Sequence, residues 1–190
     1  MRKLYLMGLL WVAISGLYLF TKNSPPQILY HHAAPATFAG SAGSWFQSIR
    51  THCNPVEVAV QVRWNPPPES MEGSGYAAAC FALAGRIDEA RDLILQLDTD
   101  DRWRAAGIVF NVGHPVADGG DDRAAGPIME LVVEFWPNHY MALYHAGASR
   151  WALGEVESAR HYLAEFLEHY DVEDGWTASA RRIIDEIDAR

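Results

Sequence analysis

Residues 76–97 read YAAACFALAGRIDEARDLILQL, and residues 142–167 read ALYHAGASRWALGEVESARHYLAEFL. Each is a run of small and apolar residues, then a glycine, then acids that open a second run. A glycine at that place ends a helix with positive φ. Asp88 and Glu89, or Glu155 and Glu157, then lie in the next helix's first turn, where the helix dipole favours negative charge. The pattern extends outward in register. Gly85, Gly120 and Gly154 stand 35 and 34 residues apart, Ala90, Ala125 and Ala159 follow each by five, and Ala78, Gly113 and Gly147 precede each by seven. Small residues at fixed places let two helices approach closely. A helical period near 34 residues predicts an all-α fold of stacked helix pairs.

These segments resemble the tetratricopeptide repeat (TPR) family. The resemblance covers about 71–173, with units near 71–105, 106–139 and 140–173, and Pro137 falls where the family carries a proline at the end of the second helix. It implies a TPR-like helix-pair solenoid and a groove lined by the first helix of each pair. By register the lining is Glu72, Ala79 and Leu83, then Phe110, His114 and Asp118, then Met141, Tyr144, Ala148 and Trp151. Such a set suits a protein-binding groove, since aromatic and methionine side chains anchor interfaces. The same residues also suit a core between neighbouring helices.

The middle unit carries breakers. Pro115 and Gly126-Pro127 predict that its first helix ends near Gly113 and a loop follows. Residues 176–189 predict an amphipathic capping helix, with Ala180, Ile183, Ile184 and Ile187 on one face. Upstream, a helix beginning at Gly43 or Ser44 runs through Trp45, Phe46, Ile49 and His52. Asn54-Pro55 opens a second short helix to about Trp64, which Asn65-Pro66-Pro67-Pro68 ends.

Residues 4–20, LYLMGLLWVAISGLYLF, hold no charge, follow Arg2 and Lys3, and precede Lys22. As a helix the run is about 25 Å long, close to a hydrocarbon core. The alternative is a signal peptide cut near Ala13-Ile14-Ser15, but the apolar run continues to Phe20. Residues 1–21 are therefore expected to form an uncleaved transmembrane anchor held in the lipid bilayer. The basic start places the N-terminus in the cytoplasm and the rest in the periplasm of a bacterial inner membrane. Residues 22–43 form a Pro- and Ala-rich linker, in which His31-His32 read as a solvated or partner-packed pair.

The 190 residues carry 15 Lys+Arg against 24 Asp+Glu, a net charge of −9. That acidic balance argues against a nucleic-acid binder, which needs a basic face to neutralise phosphates. Forty-nine per cent hydrophobic residues fit a folded chain. Cys53 and Cys80 are compatible with a disulfide in an oxidising compartment and equally with two buried thiols. No nucleophile has a base at motif spacing, and no cofactor, small-molecule substrate or metal site is expected. Asp118, Asp121 and Asp122 beside His114 read as an ordinary loop and cap, Asp98, Asp100 and Asp101 as an inter-repeat loop, and His145 and His161 as surface residues. The expectation is a non-catalytic, membrane-anchored periplasmic scaffold, an accessory subunit binding the protein subunits of a larger membrane complex such as a respiratory or photosynthetic one. The alternatives are an assembly or secretion chaperone that holds client peptides in the groove, and a metal-dependent enzyme using His114–Asp122.

Overall fold

The computed structural model describes residues 38–190. Among them there are nine α-helices and no strand. The anchor at 4–20, His31-His32 and most of the linker lie outside the described residues. No helix among the described residues is long and apolar enough to cross a membrane.

Helix α1 (Ala42–Ile49) starts at Ser41, whose hydroxyl accepts the Ser44 N–H, and buries Ala42, Trp45, Phe46 and Ile49. A 3-10 turn, Arg50–His52, follows. The Asn54 side chain then accepts the amides of Val56 and Glu57 and so caps a turn leading to α2 (Val58–Trp64), one turn later than Asn54-Pro55 implied. The helices that follow are α3 (Met71–Leu83), α4 (Ile87–Leu95), α5 (Thr99–Asp118), α6 (Asp122–Phe135), α7 (Tyr140–Ala152), α8 (Val156–His169) and α9 (Gly175–Asp188).

Three of these joints close in the same way. Gly85, Gly120 and Gly154 take φ of +71, +76 and +80°, with nothing near the place a Cβ would fill. The residue after each glycine donates its amide back five residues, Arg86 to Phe81, Asp121 to Val116 and Glu155 to Arg150. This is the Schellman closure, which satisfies the last carbonyls of a helix and turns the chain back. The pairs α3–α4, α5–α6 and α7–α8 are thus helical hairpins. Ala78, Ala90, Ala125 and Ala159 are fully buried within them. At Gly113 an added Cβ would stand 2.5 Å from Ile128, and at Gly147 it would stand 2.6 Å from Leu163. Both are main-chain approaches that a side chain would force apart.

The middle hairpin corrects the expectation. Helix α5 does not stop near Gly113 but runs through Pro115 to Asp118, and α6 contains both Gly126 and Pro127. Burial outweighs the local penalty. Gly113 packs on Ile128, the last turn of α5 closes through Gly120, and Gly126 brings α6 within van der Waals reach of Ser149 on α7. Asp100 and Asp101 likewise belong to the first turn of α5 rather than to a loop, and Asp121 caps α6 by accepting the Ala124 amide. Pro137 stands just past Trp136, the last residue of the α6 end.

The hairpins do not all meet in the same manner. Helix α3 lies along α5, whereas the next contact runs from α6 to α7, and α5 and α7 barely touch. One core joins α3, α4, α5 and α6 around Ile94, Val109, Ile128, Met129, Leu131 and Val132, and takes in Ala142 and Ala146 of α7. A second seats Trp45, Phe46, Ile49 and Val58 on Ala77, Cys80 and Ala84. A third holds Leu143, Leu163 and Phe166 under Ala180 and Ile183 of α9, which is capped by a reciprocal Asp174–Thr177 box. Cys53 and Cys80 are joined, S–S 2.00 Å, which ties the N-terminal helices to α3.

Candidate functional site

Because α7 packs on α6, a gap is left between α5 and the start of α7. Aromatic and imidazole rings fill its walls. Phe110 on α5 stacks on His114, one turn on, at 4.8 Å and meets His139 at 4.1 Å. His139 caps α7 by accepting the Ala142 amide and packs edge-on against Trp136, which in turn meets Trp103. Phe110 pairs with 139 and His114 with 145, so α5 and α7 run parallel across the gap.

The mouth of the gap is an open slot of about 380 Å³, walled by Gly107, Phe110 and Asn111 of α5, by Trp136, Asn138 and His139 of the joint, and by Tyr140 and Met141 of α7. It is large enough for one or two bulky side chains. Trp103 and Tyr140 are exposed beside it, and Tyr140 stacks on Tyr170 at 4.9 Å.

Of the residues assigned to the groove by register, Phe110 and Met141 line this slot and His114 lies directly behind Phe110. Tyr144 is 8% exposed and packs on Phe166 and Trp176. Ala148 and Trp151 flank the third core, and the Arg190 guanidinium covers the Trp151 ring. In the first unit Ala79 is buried core, Leu83 packs against two cores, and Glu72 pairs with Arg104 at the surface. Trp103, Trp136, His139 and Tyr140 were not anticipated. Trp136 and His139 sit in the joint between α6 and α7, where the helical register gives no guide, and Tyr140 opens α7.

Behind the slot, His114, Asp118 and His145 converge. The two Nε2 atoms are 3.0 Å apart, and Asp118 Oδ1 lies 3.5 Å from His114 Nε2 and 3.9 Å from His145 Nε2. His145 is not a surface residue as expected, being only 6% exposed. Trp176 covers it at 5.8 Å between ring centres. Ser149 is also buried and donates its hydroxyl to Asp122 at 3.1 Å. Burial, and then the neighbouring His114, pull the His145 pKa down to about 4, against the opposing pull of Asp118 and Asp122. Burial lowers His139 as well.

His145 has a consequence for acid stability. Its folded pKa lies below its unfolded value, so the unfolded chain binds a proton that the folded chain refuses. The protein will therefore lose stability as pH falls from about 6.5 to about 4, by up to about 1.4 kcal/mol per pH unit from this group. Urea unfolding midpoints across that window, compared with those of His145→Gln, measure it. The variant's midpoint will fall less steeply.

No protein-family model, curated protein or solved structure matches this chain.

Proposed function

We propose that this chain is a membrane-anchored scaffold, a non-catalytic accessory subunit that holds a larger membrane complex through protein–protein contacts. In this reading residues 4–20 lie in the bilayer, the helical part is periplasmic, and the helix pairs form a TPR-like solenoid. The slot between α5 and α7 is the observation that carries it. These two are the first helices of their pairs, and the slot presents Phe110, Trp136, Tyr140 and Met141 to solvent or to a partner. Large rings and methionine in a concave site are the residues that dominate interface energies. The Cys53–Cys80 bond suits an oxidising compartment on the outer side of the membrane.

The test is extraction of the full chain from native membranes in mild detergent, with every co-eluting chain quantified by mass spectrometry. A fixed ratio to one defined set of subunits is expected. A shifting, substoichiometric set of clients would instead favour a periplasmic chaperone and would overturn the subunit reading.

A further inference from the structure

We propose that His114, Asp118 and His145 form a binding site for one divalent first-row transition-metal ion, of which Zn²⁺ is the reference member. His114 and Asp118 are one helical turn apart on α5, so they share a face, and His145 comes across the gap from α7. A point equidistant from three atoms spaced 3.0, 3.5 and 3.9 Å apart lies about 2.0 Å from each, the bond length of Zn²⁺ to imidazole nitrogen and carboxylate oxygen. Two imidazoles and one carboxylate exclude Ca²⁺ and Mg²⁺, which take oxygen ligands.

The surroundings suit a cation. His145 is more than nine-tenths buried and aims its Nε2 at His114, where either a shared proton or a metal must satisfy the two rings. Asp122 adds a second carboxylate nearby, oriented by the Ser149 hydroxyl. Outer groups of this kind hold ligands in place. Asp118 is exposed, so the site has an edge within reach of water or of a partner's side chain. The ion would staple α5 to α7, the two helices that otherwise scarcely touch, and so fix the width of the slot. The inference stands on the ligand geometry and does not depend on the scaffold reading.

The experiment uses the untagged full chain in detergent, stripped with EDTA and titrated calorimetrically with ZnCl₂, with Co²⁺ absorption as a second readout. One Zn²⁺ per chain is expected, with micromolar or tighter affinity and a Co²⁺ spectrum of low coordination number. Asp118→Asn removes a charged direct ligand and is expected to weaken binding by at least the roughly tenfold that loss of an outer partner alone costs, and His114→Ala to abolish saturable binding. Asp118 is on the surface, so its variant decides the matter even where His145→Ala fails to fold. The proposal is overturned by absence of saturable uptake in the micromolar range. It is equally overturned by uptake that survives Asp118→Asn and His114→Ala, or that disappears instead in His31→Ala/His32→Ala.

Discussion

Trp45→Ala is expected to lower the unfolding free energy by about 4 kcal/mol, the largest effect of any single truncation in the N-terminal helices. Trp45 is fully buried, wedged among Phe46, Ile49 and Val58 of its own segment and Ala77, Cys80 and Ala84 of the segment after it. Removing the indole opens a cavity that these neighbours fill only in part. The hydrogen bond from Trp45 Nε1 to the Asn65 carbonyl, 2.8 Å, is lost as well. That loss adds little, because Asn65 is exposed and water replaces the donor. Urea unfolding followed by circular dichroism measures the change. A loss below about 1 kcal/mol would mean that α1 and α2 are ornaments on the other helices rather than part of their core.

Loss of the Cys53–Cys80 bond is expected to cost about 3 to 4 kcal/mol. The two cysteines are 27 residues apart, and a closed loop of that length restricts the unfolded chain by about this much. Cys53→Ala/Cys80→Ala and the reduced wild-type chain should agree closely, since Cys80 is fully buried and alanine leaves only a small void there. The bond and Trp45 act on one layer, so the combined variant will fall short of additivity. Equal unfolding midpoints for oxidised and reduced protein would contradict the expectation.

The helix pairs were legible because backbone needs are written in small residues. Gly85, Gly120 and Gly154 mark positive-φ closures, and Ala90, Ala125 and Ala159 mark buried positions, in the sequence as in the structure. The course of α5 and α6 was not legible. Pro115 and Gly126-Pro127 are strong local breakers, and their cost is offset by contacts with Ile128 and Ser149 that are distant in sequence. The slot was half legible. Phe110 and Met141 follow from helical register, whereas Trp136 and His139 belong to a joint whose path no periodicity sets. The burial of His145 was not legible, because the ring that covers it, Trp176, and the imidazole that meets its Nε2, that of His114, both stand 31 positions away in sequence.

In the proposed scaffold the slot holds a protein partner of fixed identity. The measurement that tests this most directly is the co-purification ratio from native membranes for the wild-type chain beside Phe110→Ala/Tyr140→Ala, at matched amounts of folded protein. A constant ratio to a defined complex is expected for the wild type. In the variant that ratio should collapse, since two anchoring rings contribute about 2 kcal/mol or more, roughly thirtyfold in affinity. A wild-type ratio that drifts between preparations, or a variant that retains the same subunits at the same ratio, would contradict that role for the slot.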